Sequence, residues 1–349
     1  MADRDSIRAI RGGSIPYRPE LDGLRALAVG FVVAFHVGKF KAGFLGVDIF
    51  FVLSGYLITR VLIANLHKEN FLSSFYKKRY FRLFPVLLAN ALIASIVLLL
   101  IDHKFYGEYV LRSLLYLRNI IGTTSQGRDI WLHTWSLSAE EQFYLVYPLI
   151  LFLSWKIFKN KSGIAILFMI YFLTCQLMNQ THYAYSSIGV FNLSIMTRPS
   201  GLALGCALGV LSQLKISPKR SYLYVLYALI FLTGILALNL QSTFWVDLMT
   251  AFLILSLEPF STNFSNNIFS TLLARSPLPY LGRLSYSIYM WHPIAIFTVF
   301  HFWHQPSLLR GVSAVFLNLV VSMLSFHAIE LPINGYLVAR FIRSDPKPG

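Results

Sequence analysis

Residues 18–59 read RPELDGLRALAVGFVVAFHVGKFKAGFLGVDIFFVLSGYLIT. Two long apolar segments, Leu24 to Val37 and Phe44 to Leu66, flank a short Gly/Lys turn. Their length decides the fold class. A helix rises 1.5 Å per residue and a bilayer core is about 30 Å thick, so some twenty apolar residues cross it. Polar residues stand out inside this pattern. Arg25 sits near the start of the first segment, and His36 lies about 16 Å further along a helix. An ionisable side chain at that depth costs at least about 2.5 kcal/mol in lipid, so it marks a functional site by default.

The rest of the chain repeats the pattern. Of 349 residues, 56% are hydrophobic and 13% charged, where a soluble domain carries about 25% charge. The mean hydropathy is +0.60. Apolar segments near 23–41, 44–66, 83–102, 138–157, 162–179, 198–214, 222–240, 244–259, 281–303 and 309–331 predict an all-α fold. It is a polytopic transmembrane bundle of about ten helices over 23–335, between a cytoplasmic segment 1–22 and a basic cytoplasmic tail 336–349. Residues 105–121 are amphipathic. Glu108, Arg112 and Arg118 make them an interfacial or re-entrant helix.

The formal net charge of +15 raises a nucleic-acid reading, which the charge pattern excludes. With the N-terminus inside, 22 of the 30 Lys and Arg residues fall in inner segments, as the positive-inside rule requires. Both termini then lie in the cytoplasm. Cys175 and Cys206 sit in apolar segments, which argues against a disulfide framework or a thiolate metal site, and no metal is expected. The first twenty residues hold no short apolar region with a cleavage site, so the first helix is expected to be retained.

Four stretches carry residues suited to chemistry. His36 is either a packing histidine or a general base, since imidazole titrates near neutrality. Asp48, across the turn, either orients that imidazole or caps the second helix. The loop KKRYFRLFP, from Lys77 to Pro85, gathers Lys77, Lys78, Arg79 and Arg82. It is either a positive-inside anchor or a phosphate site, because arginine forks suit phosphate and Arg79 and Arg82 are neighbours if helical. Tyr80 and Phe81 could support a flat purine. In WLHTWSLSAEEQFYLVYP, Trp131 to Pro148, Glu140 and Glu141 open an apolar helix. They are either first-turn acids behind a Ser138 cap or cavity groups that pair with a histidine or bind sugar hydroxyls, beside Tyr144. Trp131 and Trp135 either stack on a sugar or belong to an aromatic belt. In PYLGRLSYSIYMWHPIAIF, Pro279 to Phe297, polar Ser285, Ser287 and Tyr289 alternate with apolar residues, and His292 lies about one turn on. Glu330 and Pro332 close the last helix in IELP.

Taken together, these motifs resemble the acyltransferase-3 family of integral-membrane O-acyltransferases over nearly the whole chain. The resemblance is closest to bacterial members that O-acetylate lipopolysaccharide O-antigen or related envelope glycans. It implies a bundle of about ten helices in the bacterial inner membrane, with acetyl-CoA as a cytoplasmic donor and no permanently bound cofactor. It implies His36 as the catalytic histidine, acting as general base or as a covalent acetyl relay, Arg25 beside it, Arg79 and Arg82 with Lys78 at the donor, and Glu140 as the motif glutamate. Glu141, Tyr144, Trp135, Asp48, Ser285, Tyr289 and His292 are the supporting candidates. The acceptor implied is an O-antigen or other envelope polysaccharide, free or lipid-linked. Two departures are expected: some members carry a hydrolase-like domain after the bundle, where the sequence here runs only to Gly349, and Phe326 and His327 stand where many relatives have an aromatic-Arg pair. The rival reading is a transporter or flippase for a lipid-linked saccharide, against which the sequence offers no repeated half.

Overall fold

The chain enters its first helix through Arg18, whose backbone is extended, and Pro19, whose fixed φ suits a first helical position. Helix α1 (Pro19–His36) carries Glu20 and Asp22 in its first turn, where the helix dipole favours acids. It ends at His36, five residues short of the expected boundary. Gly38 then adopts φ +76°, a conformation open to glycine, and a 3₁₀ turn (Lys41–Leu45) leads into α2 (Gly46–Asn65). The structure, a computed structural model, describes residues 16–102, 106–120, 129–158, 160–185, 200–214, 221–258 and 267–337. The expected cytoplasmic segment 1–22 and the tail after 336 lie mostly outside the described residues.

The succeeding helices are α3 (Phe71–Asp102), α4 (Gly107–Leu114), α5 (Thr134–Ile157), α6 (Lys161–Tyr185), α7 (Ser200–Leu211), α8 (Ser221–Leu240) and α9 (Thr243–Leu257). Two short helices, α10 (Ile268–Leu273) and α11 (Leu278–Arg283), precede α12 (Ser285–Phe302). Helix α13 (Leu308–Ser325) then passes through a π turn (Phe326–Glu330) into α14 (Leu331–Leu337). No strand occurs among the described residues. Within the amphipathic stretch, described over 106–120, α4 is followed by a turn in which Arg118 is 0% exposed and is paired with Asp129.

Two boundaries change the reading of the site. The cationic stretch expected as a loop is helical, because α3 starts twelve residues before the expected boundary at 83 and runs through Pro85. Lys and Arg are good helix formers, which favours this extension. Helix α5 starts at Thr134, so Glu140 and Glu141 lie in its second turn. Ser138 does not cap it; its hydroxyl donates to Thr134 O at 2.9 Å, inside the helix. Asp48 is likewise no cap: it is the third residue of α2 and 1% exposed.

Helices α2 and α7 pack so closely that a Cβ at Gly55 would stand 2.1 Å from Leu202 O, and one at Gly205 equally near Val52 O. Small residues let helix backbones approach where lipid supplies no hydrophobic drive. The end where α1 begins and α2 and α9 finish is clamped by buried ions. Arg18 and Arg60 both donate to Glu258, at 3.0 and 3.1 Å, and both reach Tyr56. The outer faces are oily: Leu100 on α3, Phe231 on α8 and Phe316 on α13 are 73%, 71% and 68% exposed. Such surfaces require an apolar surround. Five helical stretches are long and apolar enough to cross a membrane: Lys41–Asn65, Phe71–Asp102, Lys161–Asn179, Ser221–Leu240 and Leu308–Tyr336. Helices α1, α5 and α12 fall outside this group, and they carry part of the site: Arg25, His36, Glu140, Glu141, Tyr289 and His292.

Candidate active site

Three imidazoles meet where α1 ends. The His36 ring centroid lies 4.6 Å from that of His292 on α12, with the rings at 66°. His292 lies 5.2 Å from His133, in the turn before α5, at 77°. His133 and His292 are buried, while His36 keeps an exposed side. Each ring is tied to its own segment. His36 Nδ1 meets Val32 O at 2.8 Å, His133 Nδ1 meets Ile130 O at 3.0 Å, and His292 Nδ1 meets Tyr289 O at 2.7 Å. A carbonyl oxygen can only accept, so Nδ1 carries the hydrogen in all three and Nε2 keeps a lone pair. Pro293 explains the third tie. It has no N–H to offer the carbonyl four residues back, which is Tyr289 O, and the His292 side chain takes that place. The Tyr289 hydroxyl donates to His133 O at 2.7 Å and lies 2.7 Å from Ser136 Oγ. Thus α12 and α5 are fastened beside the cluster.

A second group is charged. Arg79, on α3, donates through Nε to Glu141 Oε1 at 2.7 Å, and its Nη2 lies 2.5 Å from the same oxygen and 3.6 Å from Glu140. Its guanidinium stands 3.5 Å from the Tyr144 ring centroid, and the Tyr144 hydroxyl donates to Glu140 at 2.7 Å. Arg82 bears electrostatically on both Glu141 and Glu330, and Arg25 on Glu330. Glu330 closes the π turn and accepts from Ser287 at 3.2 Å. A belt of three arginines and three glutamates therefore links α1, α3, α5 and the π turn. An inserted π turn rotates the remainder of its helix, and such turns recur at functional sites.

Most of the candidates named from sequence fall into these two groups. His36, His292 and Tyr289 come together. Glu140, Glu141, Tyr144, Arg79, Arg82 and Arg25 belong to the belt, and the partners of Glu140 are Tyr144 and Arg79. Lys78 is half-buried on α3, Ser285 is buried at the start of α12, and Trp135 packs edge-on against Phe51 with centroids 6.2 Å apart. Tyr80 stacks on Phe84 at 4.8 Å, and its ring is half exposed. One residue of the site, His133, was not singled out, although WLHTWS carries an imidazole. Glu330 was read as closing the last helix, but the chain stays helical past it into α14 and buries its carboxylate. Beside His36, an apolar groove of about 350 Å³ opens between Val37, Lys39 and the α13 residues Gly311, Val315 and Leu319. No group of His, Cys, Asp and Glu able to hold a metal occurs among the described residues.

Curated proteins resemble the chain throughout. The O-acetyltransferase OatA of Staphylococcus aureus is 29% identical over 96% of this chain and 60% of its own length. The peptidoglycan O-acetyltransferase OatA of Listeria monocytogenes is 32% identical over 92% of the chain and 57% of its own length. A Bacillus subtilis relative named as a putative peptidoglycan O-acetyltransferase, YrhL, is 30% identical over 91% and 55%. The chain thus spans somewhat over half the length of these relatives. No solved structure matches it. The profile of the acyltransferase-3 family, described as an acyltransferase domain, matches residues 18–327, and the chain belongs to that family.

Proposed function

We propose that the chain is a membrane O-acetyltransferase that moves an acetyl group from acetyl-CoA to a hydroxyl of an envelope glycan, with His36 as general base. One observation carries the reading: an imidazole with a basic Nε2 and an open side at the end of a membrane helix, in an acyltransferase family. Two of the relatives above are named for peptidoglycan and none of the three for O-antigen. The acceptor is therefore a cell-wall type glycan in preference to the lipopolysaccharide expected from sequence. The groove beside Val37, with Lys39 on it, suits the chain and phosphate of a lipid-linked glycan.

Acetyl-CoA arrives at the inner end, where the first turns of α3 offer Lys77, Lys78 and Arg82 to its phosphates. Arg79 is committed to the two carboxylates and organises that wall. At the outer end His36 Nε2 takes the acceptor hydroxyl proton as the oxygen bonds to the thioester carbonyl carbon. The tetrahedral oxyanion collapses, the C–S bond breaks, and the departing thiolate recovers the proton. Arg25 lies about 16 Å from His36 along α1, too far to touch that oxyanion. The Ser136 hydroxyl, whose bond to His133 O is long at 3.3 Å, is the proposed donor, a role worth about 2.7–4 kcal/mol in a formed oxyanion hole.

The test is mass spectrometry of envelope glycans from cells carrying the chain, His36→Ala at matched membrane levels, or an empty vector. Base-labile acetyl gained with the chain and lost with His36→Ala is the expected result. Acetylation that survives in His36→Ala removes His36 from the chemistry.

A further inference from the structure

The cluster leaves two atoms unexplained. His133 Nε2 and His292 Nε2 are buried and have no hydrogen-bond partner. An unpaired buried acceptor is costly, and these two belong to rings whose centroids lie 5.2 Å apart. Neither ring can simply turn its lone pair elsewhere. Each is pinned at Nδ1 by a main-chain carbonyl, and the Tyr289 carbonyl is free to do this because Pro293 brings no N–H to it.

The unpaired atoms sit behind the proposed base. His292 packs edge-on against His36 at 4.6 Å, and His133 backs His292 at 5.2 Å. His36 itself spends Nδ1 on Val32 O. When its Nε2 takes the acceptor proton, the ring becomes a cation. Within the cluster that cation faces neutral imidazoles, each electron-rich at Nε2 and on its π face.

We propose that His292 and His133 are positioning residues for His36, whose unpaired Nε2 atoms stabilise the imidazolium that forms as the acceptor hydroxyl loses its proton. The bonds balance without a further reactant. The proton leaves the hydroxyl for His36 Nε2, and the cation so formed is stabilised electrostatically by the neutral, electron-rich rings packed behind it. The proton returns to the thiolate when the C–S bond breaks, yielding CoA thiol and the acetyl ester. This rests on the reading of His36 as the base.

The experiment uses membrane vesicles from cells expressing the full chain, with radiolabelled acetyl-CoA as probe and base-labile label in endogenous glycan as readout. His292→Phe keeps a flat ring but removes the lone pair. His292→Gln restores an acceptor oxygen near the Nε2 position. The expected result is a kcat about tenfold or more lower in His292→Phe, with KM for acetyl-CoA within about twofold, and a several-fold recovery in His292→Gln. A structural role alone gives no such recovery at equal folded protein. If His292→Phe fails to fold, His292→Gln against His133→Gln and His133→Phe supplies the same comparison. The inference is overturned if kcat is unchanged in the Phe variants, if the loss lies in KM alone, or if Gln serves no better than Phe. His36→Ala in the same vesicles separates the two readings. Loss in His36→Ala with normal His292→Phe and His133→Phe sinks this inference alone. Full activity in His36→Ala, or none in the unsubstituted chain, sinks the underlying reading and this one with it.

Discussion

Arg79 holds three groups at once: Glu141 through two nitrogens, Glu140 at longer range, and the face of Tyr144. Breaking a buried ion pair by removing one member typically costs about 3–5 kcal/mol, because the survivor keeps its charge without compensation. The side chains of Arg79 and Glu141 are 21% and 17% exposed, which places this pair near the lower end. Arg79→Ala abandons two adjacent carboxylates, whereas Glu141→Gln keeps an oxygen for Arg79 Nε to bond. Glu140→Gln still accepts from Tyr144. The expected order of lost thermal stability in detergent is therefore Arg79→Ala, then Glu141→Gln, then Glu140→Gln. An Arg79→Ala protein as stable as Glu140→Gln refutes the belt as a stabilising element.

At the scale of the helix, Pro293 separates stability from function. Proline inside a helix is about 3 kcal/mol less favourable than alanine. Pro293→Ala supplies an N–H to Tyr289 O and competes with His292 Nδ1 for it. The variant is expected to unfold at the same or a higher temperature while kcat falls several-fold, because His292 loses the tie that fixes its tautomer. Unchanged turnover in a stable Pro293→Ala protein shows the tie to be dispensable. Helices also show what could be read from sequence. Every apolar segment proposed there has a helix at the same place, because hydropathy over twenty residues is a local signal. The starts of α3 and α5 were missed by twelve and four residues. In α3, a cationic run before a proline reads as a loop, although its Lys, Arg and Leu are good helix formers and the helix runs on through Pro85. In α5, Ser138 with two glutamates after it imitates a cap, while the turn that begins the helix lies four residues earlier.

At the scale of the molecule, the candidate site is assembled from residues far apart in the chain. His36, Arg25 and Arg79 were legible because each is an ionisable residue in an apolar context. Their partners were not: no periodicity says that position 133 meets 292, or that 330 meets 287. Which end of the bundle faces the cytoplasm is a further whole-molecule property, and the proposed donor route depends on it. Arg18 and Arg60 meet at Glu258, so the start of α1 and the ends of α2 and α9 share one end, and His36 lies at the other. Lys68 and Lys39 are exposed near those respective ends. The native thiols Cys175 and Cys206 are 1% and 0% exposed, so they give little background to a thiol reagent. With the start of α1 in the cytoplasm, a membrane-impermeant maleimide labels Lys39→Cys in intact spheroplasts and reaches Lys68→Cys only after the membrane is opened. The reverse pattern places the α3 cations outside, away from the cytoplasmic supply of acetyl-CoA, and the donor route through Lys77, Lys78 and Arg82 fails with it.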